Sequence, residues 1–277
     1  MVEINRSGMN DYSVYGGVQH LPALLGEALR SVKGRLIQKE PSTLNRSLVQ
    51  NYFENAKEDE RSEGMIAAQS PLYEPLIISA LQELRPMFDE FNEKHTIKIL
   101  DYGCGTGQLY EHVNDLFQHF DYIGYDVDRK LTRKNIIKFS HITNSEIVSN
   151  LEHTECVNVI FAINLLCYLN EVEVIELFTQ CNDLFDDLET NALVIIDPMP
   201  TWIWETRFSG IELCLRTPQR IKCIAESQGF SSKKTIKAHC TRLFGHNFIS
   251  YAHCAIMVKS NQSLAKGREH NDHRTDA

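Results

Sequence analysis

The sequence predicts an α/β protein. The expected architecture is a mostly parallel seven-stranded sheet with helices on both faces, an antiparallel C-terminal hairpin and an N-terminal, mostly helical cap. Three observations lead there. Residues 97–259 alternate short apolar runs with segments of helical spacing. The first apolar run ends in a glycine-rich turn that opens a helix. The last two runs are joined by a short connection, which favours antiparallel pairing. The chain thus divides into an N-terminal cap or substrate region (1–95), a central domain (96–259) and a tail (260–277). The tail holds almost no large apolar residue, cannot repay its ordering entropy, and is expected to be disordered.

The elements follow in order. Ile97 to Tyr102 (IKILDY) is a strand, and Gln108 to Phe120 has helical spacing. Tyr122 to Tyr125 is a second strand ending at Asp126, followed by a helix from Arg129 to Phe139. Glu146 to Asn150 is a weak third strand and Val157 to Ile163 a strong fourth. Glu171 to Phe185 reads as an amphipathic helix with Val172, Ile175, Leu177 and Phe178 on its apolar side. Ala192 to Ile196 is the fifth strand. Thr217-Pro218 is an N-cap with proline at the first helical position, and Gly229 closes that helix. Two strands near 233–238 and 248–258 complete the sheet. Right-handed crossovers then place a ligand crevice at the carboxyl ends of the parallel strands.

Composition narrows the function. The chain has 277 residues, 43% hydrophobic and 23% charged, which is ordinary globular usage. Its formal net charge is -9, from 37 acidic and 28 basic residues, and such a surface repels phosphate backbones. General nucleic-acid binding is not expected. The run Arg129, Lys130, Arg133, Lys134 and Lys138 reads as one solvated helix face. None of the eight cysteines forms a CxxC pair, and residues 1–11 carry no apolar leader segment. A reduced, cytoplasmic protein is expected. The longest apolar stretch, Val157 to Leu169, is too short to span a bilayer and is broken by Asn158 and Asn164, so no membrane partner is expected.

The chemistry is concentrated in Asp101-Tyr-Gly-Cys-Gly-Thr-Gly107, between a strand and a helix. Glycines at 103, 105 and 107 let the backbone turn tightly and approach a ligand closely. The following helix offers free N–H groups and a positive dipole end. A dinucleotide fingerprint needs GxGxxG, but position 108 is Gln. Asp126 follows Gly107 by nineteen residues and sits directly at the second strand's end, where a carboxylate can accept two ribose hydroxyls. Strand, turn, helix and spaced acid coincide, which a purely structural turn does not require.

The DxGxGxG pattern with Asp126 resembles the first motifs of class I S-adenosylmethionine-dependent methyltransferases, a Rossmann-like family. The resemblance covers about 97–259. It implies S-adenosyl-L-methionine as cofactor and S-adenosyl-L-homocysteine as product. It implies that Gly103, Cys104, Gly105 and Gly107 line the cofactor, that Asp101 reaches the amino group of the methionine part, that Asp126 holds the ribose and that Val127 packs on the adenine. Asn150 and Leu151 fall where the family places adenine contacts, and Ala162 and Asn164 where it contacts the methionine portion. The fourth strand ends Ala-Ile-Asn-Leu-Leu and lacks the Asn/Asp-Pro-Pro-Tyr/Phe of enzymes that methylate DNA amino groups. No HxxxH, HExxH or GxSxG occurs, so neither a metal nor a serine nucleophile is expected.

Specificity in such folds comes from parts added to the sheet. Tyr52 and Tyr73 in the N-terminal region, and Trp202 and Trp204 after the fifth strand, are candidate walls of an acceptor pocket. The competing account of each is core packing. Tyr168 and His239 are the candidate catalytic residues, as a general base for a hydroxyl or amine acceptor. The expected function is methyl transfer to an O or N atom of a small-molecule acceptor. Methylation of protein or tRNA, and a non-catalytic cofactor-binding scaffold, are the alternatives. The N-terminal region reads as a lid, a homodimer interface or both.

Overall fold

The computed structural model describes residues 3–5, 13–15, 73–92, 96–154, 156–185, 191–197, 206–208, 211–213, 216–241 and 249–259. Seven strands form one sheet: β1 (Ile97–Tyr102), β2 (Phe120–Tyr125), β3 (Ser145–Val148), β4 (Val159–Ile163), β5 (Ala192–Asp197), β6 (Phe230–Thr241) and β7 (Ile249–Lys259). Among the described residues, five α-helices accompany them: α1 (Glu74–Asn92), α2 (Leu109–Leu116), α3 (Arg129–Phe139), α4 (Glu171–Leu184) and α5 (Pro218–Ser227). The spatial order is 3-2-1-4-5-7-6. The first five strands run parallel. β7 enters antiparallel between β5 and β6 and pairs with both. Strand order reverses at β1, between β2 and β4, so the carboxyl ends of these three strands frame the switch-point crevice.

Two apolar layers hold the sheet. On one face, Ile97, Ile99, Tyr122, Phe161, Val194 and Ile196 share a buried cluster with α1, α2 and Phe139 of α3. On the other, Leu100, Ile160, Ala162, Leu193 and Ile195 meet α4 and α5. The alternation is the pleat itself, since successive strand residues point to opposite faces. Each fully buried Leu, Ile or Val is worth roughly 1.5–3 kcal/mol. Helix α1 contributes Leu76, Ile77, Ala80, Leu81 and Leu84 to the first cluster, so this part of the N-terminal region lies in the same core as the sheet.

Several boundaries differ from the sequence reading. β2 begins at Phe120, because α2 stops at Leu116 and Phe120 is buried beside Ile97 in the parallel register. β3 ends at Val148, so Asn150 and Leu151 lie in the turn beyond it. Val172, assigned to the apolar side of α4, is 63% exposed. The buried stripe is Val174, Leu177, Phe178, Cys181 and Leu184, and Val172 stands about 200° around the helix from Val174. The helical reading of the N-terminal region also misses an antiparallel strand pair, Glu3–Asn5 with Ser13–Tyr15. A second pair, Thr206–Phe208 with Ile211–Leu213, lies in the segment after β5. The tail 260–277 lies outside the described residues.

Helix ends follow the local sequence. Thr217 caps α5 by accepting the Arg220 N–H, with Pro218 in the first turn and Gly229 at φ +84° past the end. Asn170 and Glu173 form a capping box on α4. Asp128 accepts the N–H groups of Lys130 and Leu131 at the start of α3. Arg129, Lys130, Arg133, Lys134 and Lys138 all lie on the exposed side of α3, as a solvated face requires.

Candidate active site

The glycine-rich turn leaves β1 with three residues in the left-handed region: Gly103 at φ +81°, Gly105 at +53° and Gly107 at +72°. Space is also short there. A Cβ on Gly107 would lie 2.6 Å from the Phe139 ring, and one on Gly103 would lie 3.3 Å from Leu165. The Gly103 and Cys104 N–H groups donate to the Tyr125 carbonyl at 2.8 and 2.9 Å, which ties the turn to the end of β2.

Asp126 completes that tie. Its Oδ2 accepts the Gly105 N–H at 2.9 Å and its Oδ1 accepts the Asp128 N–H at 2.8 Å. Burial pushes its pKa up, and these two backbone donors pull it back. Val127, the next residue, is 71% exposed. Helix α3 holds the turn from below: Asn135, buried, donates from Nδ2 to the Gly105 carbonyl at 2.7 Å. Lys138 donates to the Thr106 carbonyl at 3.1 Å.

Asp101, at the end of β1, is 3% exposed, and its Oδ2 accepts the Tyr122 hydroxyl at 2.7 Å. Burial is the main reason its pKa rises to about 7; the Tyr122 hydroxyl opposes that rise and the Asp126 charge adds to it.

The end of β4 forms the opposite wall. Asn164 sits at φ +51°, rare for a residue with a side chain. Its N–H donates to the Ile196 carbonyl at 2.7 Å, and its Oδ1 accepts the Tyr73 hydroxyl at 3.0 Å. A 3₁₀ turn, Leu166–Tyr168, follows. Asp197 at the end of β5 accepts the N–H groups of Leu166 and Cys167 at 2.9 and 3.3 Å. Buried Arg216 donates to the carbonyls of Leu166 and Leu169 at 2.9 and 2.7 Å. The turn is thus held through its donors by one side chain and its acceptors by another. Burial drives the Asp197 pKa to about 7, against the pull of these donors and of Arg216.

The predicted residues separate accordingly. Asp101, Gly103, Cys104, Gly105, Gly107, Asp126 and Val127 come together at the β1–β2 end, with Asn164 and Tyr168 following β4. Ala162 is fully buried within β4, and Leu151 is buried while Asn150 is exposed, beyond β3. Tyr73, expected as a pocket wall, has its ring in the core cluster and only its hydroxyl engaged at the β4 end. His239 pairs with Tyr251 on the edge strand β6. Four strand spacings separate β6 from β1, about 19 Å. Tyr52, Trp202 and Trp204 lie outside the described residues. The sequence alone assigns no role to Tyr122, Asn135, Asp197 or Arg216. Asn135 alone left a signal: Thr132, Asn135 and Phe139 recur at helical spacing on the buried face of α3. Among the described residues, no group of three or more His, Cys, Asp or Glu side chains could hold a metal ion, and no helix is long and apolar enough to cross a membrane.

Switch-point crevice, glycine turn and spaced acid together define an S-adenosylmethionine-dependent methyltransferase fold. A protein-family model described as a methyltransferase domain matches residues 72–230, and the chain belongs to that family. It is a methyltransferase, an enzyme whose cofactor is S-adenosylmethionine and whose partner is a methyl acceptor. A comparison with curated proteins finds no match. Among solved structures, the fold is similar to that of the CurJ carbon methyltransferase, at 14% identity and a TM-score of 0.55, over 72% of this chain and 58% of that one. It is also similar to the magnesium protoporphyrin IX methyltransferase from Synechocystis PCC 6803 with bound S-adenosylmethionine, at 14% identity and a TM-score of 0.51, over 80% of this chain and all of that one.

Proposed function

We propose that the β1–β2 end holds the cofactor and that the methyl group passes to an O or N atom of a small-molecule acceptor. The observation that carries the first part is the Asp126 carboxylate. Each of its oxygens accepts one backbone N–H, and a carboxylate oxygen has a second lone pair. Both oxygens can therefore take a ribose hydroxyl without releasing the turn. Val127, exposed beside Asp126, supplies an apolar surface for the adenine, with Asn150 and Leu151 toward β3. Gly103, Cys104, Gly105 and Gly107 admit the cofactor close to the backbone. Asp101 receives the ammonium of its methionine part, and Ala162 and Asn164 border that part from β4. The residues present thus fit the cofactor.

When bound, S-adenosylmethionine supplies an activated methyl group. In-line displacement at that methyl group would ask of this chain's residues only proximity, alignment and a place for the acceptor's proton. The protein's part is to align acceptor and donor. Tyr168 follows β4, the strand beside β1, and is assigned to orient the acceptor or take its proton. His239 ranks second because of its distance across the sheet. Tyr73 would act through Asn164, and Tyr52, Trp202 and Trp204 are proposed to wall the acceptor pocket. The net charge of -9 favours a small acceptor over nucleic acid. The free thiols of Cys104, Cys156, Cys167, Cys181, Cys223 and Cys254 accord with a cytoplasmic protein.

Calorimetric titration with S-adenosylhomocysteine tests the cofactor site. Micromolar binding is expected for the wild type, weakened at least tenfold in Asp126→Ala, about 1.4 kcal/mol. Equal binding by both proteins would remove Asp126 from the site. With an acceptor in hand, Tyr168→Phe should lower kcat, and unchanged turnover would release Tyr168 from its role.

A further inference from the structure

Tyr122 lies on β2 two residues before Gly124, and Gly124 pairs with Asp101 in the parallel register. Both β2 residues point to the same face of the sheet. A Cβ on Gly124 would lie 3.3 Å from Tyr122 Cε1 and 2.6 Å from Ile147 Cδ1. The missing side chain at 124 therefore leaves the passage through which the Tyr122 ring reaches the end of the neighbouring strand. The ring is clamped there. Phe139 stacks on it at 5.8 Å and 17°, and Tyr110 meets it edge-on at 5.5 Å. Tyr122 is 1% exposed, and its hydroxyl is the only hydrogen-bond donor to Asp101 among the described residues.

We propose that Tyr122 is a positioning residue for the cofactor: through Gly124's gap its hydroxyl orients the Asp101 carboxyl and favours its ionised form as the receptor for the ammonium group, and so makes cofactor affinity depend on the ionisation of one buried carboxyl. This rests on the cofactor reading above.

The groups around Asp101 leave this hydroxyl no substitute. β2 offers Asp126, whose negative charge disfavours ionisation of Asp101. The turn offers Cys104, a thiol that burial keeps protonated and neutral. From α3 come Phe139 and the amide of Asn135, which is engaged with the Gly105 carbonyl. From α2 comes Tyr110, whose hydroxyl donates to Asn114 and Asn144. Burial pushes the Tyr122 hydroxyl pKa up as well, so it remains a proton donor across the neutral range. The Asp101 carboxyl, at about 7, is then half ionised near neutrality, and a cationic ligand must draw it fully into the charged form.

The experiment is calorimetric titration of S-adenosylhomocysteine into wild type and Tyr122→Phe between pH 6 and 8, with thermal unfolding confirming that both are folded. Wild-type affinity should rise about tenfold from pH 6 to pH 8 and level off above neutrality. Tyr122→Phe should move that rise up by about one pH unit or more, giving roughly fivefold weaker binding at pH 7. A merely structural role for Tyr122 would lower affinity equally at every pH. That result, or a wild-type affinity flat over this range, would overturn the proposal. Asp197 also titrates near neutrality but does not touch Tyr122. A pH dependence that survives Tyr122→Phe unchanged would belong to it, and would equally overturn the proposal. Absence of binding by the wild type at every pH is a separate result: it would overturn the cofactor site itself.

Discussion

Backbone conformation decides most of what individual residues do at this site. Gly107 and Gly229 both occupy the left-handed region, at φ +72° and +84°. They differ in surroundings: a Cβ at 107 would strike the Phe139 ring at 2.6 Å, whereas at 229 nothing lies within 4 Å. Gly229→Ala should cost only the strain, about 1 kcal/mol. Gly107→Ala should cost that strain plus a clash of about 1–3 kcal/mol. Thermal unfolding of the two variants compares them directly, and equal shifts in Tm would mean that Phe139 moves aside freely. Local backbone demands also separate the site residues that are legible in sequence from those that are not. The glycines and Asp126 announce themselves because their demands are local, a turn and a strand end. Tyr122 does not, because its role depends on a gap left by Gly124 and on its partner in the next strand.

The decisive element is the 3₁₀ turn after β4. It carries Tyr168 and follows the constrained Asn164, yet it makes few bonds of its own. Asp197 takes its N–H groups and Arg216 its carbonyls. Arg216→Ala would leave two carbonyls without that donor and Asp197 without its neighbouring cation. A loss of about 3–5 kcal/mol is expected, measurable by urea unfolding. Thr217→Ala, one residue on, removes only a helix cap and should cost about 1 kcal/mol. If the two losses were alike, Arg216 would be no more than an anchor for α5. From sequence, Thr217-Pro218 was readable as a cap because capping acts over three residues. Arg216 meets Leu166 fifty positions earlier, and no local pattern encodes that meeting.

At the scale of the molecule, Asp101 and Asp197 are two buried carboxyls with pKa values raised to about 7 from 3.8. Between those limits the folded protein binds more protons than the unfolded chain. The sign follows: the contribution of both groups to stability falls as pH rises from about 4 to 7, and levels off above 7. Without cofactor, the protein should therefore lose stability from these groups between pH 5 and pH 8. Asp197→Asn should flatten that dependence in urea unfolding, and an unchanged slope would mean that Asp197 stays ionised in the fold. The penalty also marks how the crevice is made. Two titratable carboxyls are buried at the carboxyl ends of β1 and β5, against the trend of the apolar layers beneath them.

The alternation of strands and helices, the antiparallel final hairpin, the glycine turn and its spaced acid, and hence the methyltransferase class, are legible in the order of residues alone. These are set by periodicity and by backbone demands a few residues long. Folding adds that β7 enters between β5 and β6, that α1 joins the core of the sheet, and that Tyr122, Asn135, Asp197 and Arg216 lie against the strand ends and turns around the crevice. Each of these depends on which strands lie side by side and in what register. Side chains 20 to 50 positions apart meet only once the sheet has brought their strands to a common end.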